Sequence, residues 1–193
     1  RVLFRSAWTS GVLLTNRHLQ RCEISDSRFA KSQLLGAYFD GVSLKNLLLR
    51  DSKLERCVFV KCTFDDVAIS KVTIDECNFQ VVARELNISD STFHDGAFSV
   101  ENISKADAAE LERTQSRDWL LERCRFKGVA VNLSGKGLVI DTIFEDCSLG
   151  LGGGSYLETG STLRVTDSIV SGSRMRRGSN TAGSWLNERA AAA

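Results

Sequence analysis

Between residues 24 and 79 every fifth residue is a large apolar one: Ile24, Phe29, Leu34, Phe39, Leu44, Leu49, Leu54, Phe59, Phe64, Ile69, Ile74 and Phe79. Leu14 and Leu19 carry the series upstream. Two residues before each member stands a second series, mostly small: Cys22, Ser27, Ser32, Ala37, Val42, Leu47, Ser52, Cys57, Cys62, Val67, Val72 and Cys77. The other three positions of each unit are mostly polar or charged. A period of five belongs neither to the helix nor to the strand alone. It fits a chain that runs extended for about three residues, turns, and repeats, because residues two apart in an extended piece point the same way. One small and one large side chain per unit would then fill a narrow interior.

Units such as CEISD, SRFAK, CVFVK and CTFDD resemble the pentapeptide-repeat family: a small residue, a polar one, Leu or Phe, then two polar residues. The match is continuous over residues 22–81, with Cys, Ser and Val used more than Ala at the small position. The resemblance implies an all-β fold, a right-handed quadrilateral β-helix with four units per coil and about twenty residues per turn, its coils stacked at about 4.8 Å. Residues twenty apart should then lie above one another. Phe39, Phe59 and Phe79 would form an aromatic column, and Leu34, Leu54 and Ile74 an aliphatic one.

Past residue 80 the pattern weakens. The next large position falls on Arg84, so VVARELN is expected to contain an inserted loop. The step resumes at Ile88, Phe93, Phe98 and Ile103, with Gly96 and Glu101 poor matches in the small series. The pattern divides the chain into a repeat helix with its N-terminal cap (1–103), a short helix or loop insertion (104–118), irregular solenoid coils (119–175) and a tail (176–193). Ser104 and Asp107 resemble a capping box for that short helix. The irregular coils either keep four sides or relax toward a larger three-sided helix with longer coils. The tail reads as loop or a short capping helix ending in vector-derived alanines.

The cysteines invite a chemical reading. Cys22, Cys57, Cys62 and Cys77 sit at the small inward position, and Cys124 and Cys147 join them if the later register holds. Their spacing is the repeat spacing, not the tight paired knuckle of a zinc site. In-register parallel strands also hold Cβ atoms farther apart than the roughly 3.8 Å a disulfide prefers. Core packing as small hydrophobes is the expectation, and reduced thiols suit an intracellular protein. No cofactor or metal is called for.

Other motifs have ordinary readings. The glycines of LGLGGGS lack the strand–loop–helix context of a phosphate loop. His94 and Asp95 near Ser91 suggest a triad, yet neighbours in an extended unit point opposite ways. Asp65–Asp66 and Asp75–Glu76 read as a solvated face. The sequons at Asn87, Asn102 and Asn132 read as coincidences of a Ser-rich turn pattern. Arg174, Arg176 and Arg177 form the densest basic cluster, a solvated tail or a contact for an anion or an acidic partner. Trp8, Trp119 and Trp185 are expected outside the regular coils, in caps or partner-contacting loops.

A formal net charge of +1 gives no global pull toward nucleic acid or a membrane surface. No apolar run reaches the roughly 20 residues of a spanning helix, and RVLFRSAWTS shows no signal peptide. The expected function is therefore a non-catalytic protein-interaction scaffold, with a dimer through a coil end as an option. The resemblance adds that such repeats occur in bacterial interaction domains, including those of secreted effectors, which places the chain in the cytoplasm or in a host cytosol. It also supplies an alternative, a DNA mimic that binds gyrase, although basic and acidic residues balance over residues 21–79. A polysaccharide-active β-helix would need clustered carboxylates, and none stands out.

Overall fold

The structure, a computed structural model, describes residues 3–5, 8–101, 118–135, 137–151, 163–166, 168–172, 181–182 and 185–187, with side chains described within 9–150. Every described strand pairs in parallel with the strand one coil away. The first coil comprises β1 (Leu3–Arg5), β2 (Trp8–Ser10), β3 (Leu13–Thr15) and β4 (His18–Gln20). Next come β5 (Glu23–Ala30), β6 (Gln33–Leu35), β7 (Tyr38–Asp40), β8 (Ser43–Arg50), β9 (Lys53–Glu55), β10 (Val58–Ser70), β11 (Thr73–Ser89) and β12 (Thr92–Glu101). The register is the sequence period made visible: Phe4↔Ile24, Ile24↔Leu44 and Leu44↔Phe64 on the first face, Thr9↔Phe29 on the second, Leu14↔Leu34 on the third and Leu19↔Phe39 on the fourth.

Each corner is made by the fifth residue of a unit, which takes a left-handed backbone. Positive φ recurs at Gly11, Asn16, Arg21, Asp26, Lys31, Gly36, Gly41, Asn46, Asp51, Arg56, Lys61, Asp66, Lys71 and Glu76. Gly, Asn and Asp accept that region most readily, but Lys, Arg and Glu are forced into it too. What compensates is hydrogen bonding. The corner N–H donates to the carbonyl of the next coil, as in Asn16 N→Leu35 O at 2.8 Å and Arg21 N→Asp40 O at 2.8 Å.

The expected loop in VVARELN is absent. Instead β11 runs unbroken through Val81, Ala83, Leu86 and Ile88, and the register slips so that Cys62 stands opposite Val81, not opposite residue 82. One residue has been lost relative to the coil above, and it is the corner residue: Lys61 turns at φ 52°, whereas no left-handed residue follows Phe79 before Glu85. With the corner gone, Phe79, Val81 and Ala83 alternate inward along a straight strand, each buried.

Below this point the coils narrow. The later strands are β13 (Trp119–Glu122), β14 (Arg125–Lys127), β15 (Ala130–Leu133), β16 (Gly137–Ile140), β17 (Ile143–Glu145) and β18 (Ser148–Leu151). They pair on the second, third and fourth faces, Leu121↔Val139, Phe126↔Phe144 and Val131↔Leu149, so the coil has three strands and eighteen residues. Of the two alternatives, this coil takes three sides and is shorter than twenty residues, whereas the next step, Phe144↔Val165, is 21 residues long. Trp119 stands where the coil changes. Its column reads Ser27, Leu47, Val67, Leu86, Trp119 and Gly137, and the indole fills the interior that the missing side vacates, 1% exposed, with Nε1 donating to Ser134 O at 3.0 Å. A Cβ on Gly137 would collide with the indole of Trp119. Trp119 is thus a core residue and not a cap or partner contact.

Strands continue beyond residue 175. After β19 (Leu163–Thr166) and β20 (Ser168–Gly172), β21 (Thr181–Ala182) and β22 (Trp185–Asn187) pair with them in parallel inside the segment read as a tail. The expected short helix over 104–118 falls almost wholly outside the described residues.

The core follows the two series. Phe39, Phe59 and Phe79 stack with centroids 4.4 and 4.6 Å apart and rings within 8° of parallel. Leu54 and Ile74 are buried, while Leu34, nearer the N-terminal end, is only partly so. Lower down the aromatic stack changes face: Phe93, Phe126 and Phe144 stack on the third face at 4.3 and 5.0 Å. Phe93 and Phe98, 5.3 Å apart, bridge the two stacks.

Candidate interaction faces

The small inward position has a polar duty. Ser32, Ser52, Ser91 and Thr142 each donate a hydroxyl to the carbonyl two residues before, at 2.7–3.1 Å. Each hydroxyl also accepts a backbone N–H from one coil above: Val12 N→Ser32 Oγ, Ser32 N→Ser52 Oγ, Val72 N→Ser91 Oγ and Cys124 N→Thr142 Oγ1. The thiols do the same work. Cys57, Cys62, Cys77, Cys124 and Cys147 donate to Glu55 O, Val60 O, Asp75 O, Glu122 O and Glu145 O, and Cys77 Sγ accepts from Cys57 N at 3.3 Å. Reading cysteine as a plain hydrophobe missed this: a small side chain that can both donate and accept satisfies buried backbone at the bend.

All six cysteines are free and buried. Burial pushes the Cys62 and Cys124 thiols up to about 11, and raises Cys22 and Cys147. Cys77 is raised by its hydrogen bond with Cys57 and by burial. The hydrogen bond with Cys77 instead lowers the Cys57 thiol to about 7, so burial disfavours a thiolate at the other five positions and not at Cys57.

The triad reading fails on geometry. Ser91 is 1% exposed and its hydroxyl is engaged inside, whereas His94 lies on the outer surface. Gly150 belongs to β18, and Gly152, Gly153 and Gly154 lie outside the described residues. So do Arg174, Arg176 and Arg177. Asp65 is paired with Arg84 at 3.0 Å, and Asp66 and Glu76 are corner residues. Among the described residues no group of three or more His, Cys, Asp or Glu converges on a common point.

The outer faces differ sharply in charge, which a linear count hides. The third face presents Lys53, Glu55, Asp75, His94, Arg125, Lys127 and Glu145, with Lys53–Glu55 and Arg125–Glu145 pairs at 2.8 Å. The corner between second and third faces alternates in sign from coil to coil: Lys31, Asp51, Lys71, Asp90, Arg123, Asp141. There Arg123 reaches Asp90 at 2.6 Å, which lowers the Asp90 carboxyl and raises the guanidinium. The corner between first and second faces reads Asp26, Asn46, Asp66, Glu85, with Asn46 Nδ2 donating to Asp26 Oδ1. Among the described residues no face is uniformly acidic.

The fourth face is nearly neutral. Its outward residues are His18 and Gln20, Tyr38 and Asp40, Val58 and Val60, Asn78 and Gln80, Ala97 and Ser99, Ala130 and Asn132, then Ser148 and Gly150. Asp40 is the one carboxylate, and Gln20 Nε2 donates to it at 3.1 Å. At about 4.8 Å per coil the strip is roughly 30 Å long. Val58 and Val60 lie half-buried at its middle, and Tyr38 packs edge-on against His18 at its upper end. The sequence contained this signal in the residues flanking every fourth large position, legible only once twenty-residue stacking is imposed.

No protein-family model and no curated protein matches the sequence. Among solved structures the chain is similar to HetL, a pentapeptide repeat protein involved in heterocyst differentiation regulation from the cyanobacterium Nostoc sp. strain PCC 7120. The identity is 11%, over 93% of this chain and 85% of that one, with a TM-score of 0.48. It is also similar to full-length QnrB1, a plasmid-mediated fluoroquinolone resistance protein, at 10% identity, 96% and 97% coverage and a TM-score of 0.31. Rfr23 from the cyanobacterium Cyanothece 51142 follows at 11% identity, 81% and 91% coverage and a TM-score of 0.26. The five-residue period, the twenty-residue coil and the left-handed corner of unit after unit, independently of those likenesses, make this chain a pentapeptide-repeat β-solenoid.

Proposed function

We propose that the chain is a non-catalytic protein-interaction scaffold whose docking surface is the neutral fourth face. One observation carries this reading: a single carboxylate among the outward positions of that strip, in a chain where 25% of residues are charged. Burying a charged side chain against a partner requires stripping its water, so the strip is the surface that can be covered at least cost. Its flatness suits a protein partner better than a small molecule, which favours a concave site.

The test is site-specific photo-crosslinking in the native host, with the crosslinker at Asn78 on the strip or at Thr73 on the charged third face. A discrete adduct at Asn78 that is absent at Thr73, and lost in Val58→Asp/Val60→Lys, is the expected result. Equal capture at both positions would refute the reading. The DNA-mimic alternative gains nothing from the mixed charge of the faces, and a gyrase supercoiling assay is expected to show neither inhibition nor protection.

A further inference from the structure

The second face and the corner beside it are self-complementary when read backwards. Down the corner the charges run Lys31, Asp51, Lys71, Asp90, Arg123 and Asp141, one per coil. Against its own reverse, Lys31 falls opposite Asp141, Asp51 opposite Arg123, and Lys71 opposite Asp90. The outward column next to it runs Ala30, Arg50, Ser70, Ser89, Glu122 and Ile140. Reversed, it sets Ala30 against Ile140, Arg50 against Glu122 and Ser70 against Ser89. The other outward column sets Leu48 against Leu120; its outermost pair, Arg28 and buried Leu138, is the exception. Stacking within one chain explains the alternation of the corner, as in Arg123–Asp90. It does not explain the columns, because Arg50 and Glu122, like Leu48 and Leu120, lie three coils or about 14 Å apart.

We infer that two copies associate second face to second face, antiparallel, about a two-fold axis running along the strands between the coil of Lys71 and the coil of Asp90. Rotation about that axis keeps each outward column facing itself and reverses the order of the coils, which is the operation under which the columns match. Displaced by one coil, the ladder would set Lys31 against Arg123 and Asp51 against Asp90, so charge fixes register as well as direction. The third face fails the same operation, since Lys53 falls opposite Arg125. Six coils give a strip roughly 30 Å long and one face wide, short of the roughly 1,200 Å² that stable complexes bury, so the dimer dissociates on dilution. The fourth face lies across the square coil from this contact, and scaffold docking does not compete with it.

The experiment is sedimentation velocity of the whole chain across a concentration series, at low and high salt. The expected result is a monomer–dimer equilibrium that weakens as salt rises. Asp51→Lys and Arg123→Glu each weaken the dimer about tenfold, and the two together restore it. A ladder that served only its own chain would respond in the opposite sense, because the double exchange leaves the corner positive from Lys31 to Lys71 and negative from Asp90 to Asp141. Leu48→Cys and Leu120→Cys supply a second readout, the native thiols all being buried. Mixed, these two variants give a covalent dimer with a short bis-maleimide, whereas neither does alone, its own copies being about 14 Å apart along the strip. Val58→Asp/Val60→Lys on the fourth face leaves the equilibrium unchanged, which separates this contact from the scaffold reading. A monomer at every concentration, a double exchange that stays monomeric, or crosslinking of either cysteine variant to itself would each overturn the inference.

Discussion

The coils above Gln80 and the coil from β13 to β16 are made from the same two-residue inward pattern, yet the first are four-sided and the second is three-sided. The upper coils keep a strict five-residue step, and every step ends in a left-handed corner. Before the lower coils begin, one corner residue is lost between Gln80 and Val81, which turns a bend into a straight run. In the three-sided coil the inward column is filled by a buried tryptophan, Trp119, packed directly over a glycine, Gly137. The comparison teaches that the bends and the core side chains change together along such a solenoid.

The largest test of that view is Trp119→Ala, expected to cost about 3–5 kcal/mol by emptying the space the missing side would occupy; Val67→Ala in the same column of a four-sided coil should cost about half as much. Chemical denaturation of both variants gives the comparison. Gly137→Ala should cost about 1–3 kcal/mol through overpacking against the indole. In a Trp119→Leu background that cost should vanish, and strict additivity in the double-mutant cycle would break the argument.

Ser52→Ala removes the acceptor for Ser32 N and the donor to Arg50 O, at about 1–3 kcal/mol. Ser52→Cys should retain much of this, as the native thiols show. Arg56→Gly relieves a left-handed corner and is expected to stabilise by under about 1 kcal/mol, measurable as a small rise in Tm.

Smallest is the pH effect at Arg123–Asp90. Because the folded carboxyl is depressed, the pair's contribution is present above the ordinary aspartate value of about 3.9 and is lost as pH falls through the lower folded value. Asp90→Asn should flatten that acid limb only slightly, both side chains being solvent-exposed.

The repeat made most of the upper fold legible. Phe39, Phe59 and Phe79 were placed in one column because a period of five and a coil of twenty leave them no other relation, and Leu54 with Ile74 followed for the same reason. What misled was the region after Phe79. Arg84 at a large position looked like an insertion, because a missing turn residue and an added one disturb the period alike. The indole at 119 looked like an outlier for a kindred reason: in a strand of small residues a tryptophan appears too large, until the perimeter around it is known to have shrunk. Cysteine's hydrogen bonding was equally hidden, since the carbonyls it meets belong to the bend.

The candidate faces were the least legible feature. Charge summed along residues 21–79 is zero, and only the stacking of every twentieth residue sorts it into a mixed third face, an alternating edge and a neutral fourth face. By itself the sequence determined the period, the inward pairs and the parallel register, because alternation along an extended chain is a local property. Tertiary structure decided the number of sides per coil and which outward residues share a surface, because both depend on where the chain turns. The corner lost between Gln80 and Val81 straightens the chain without altering the alternation around it.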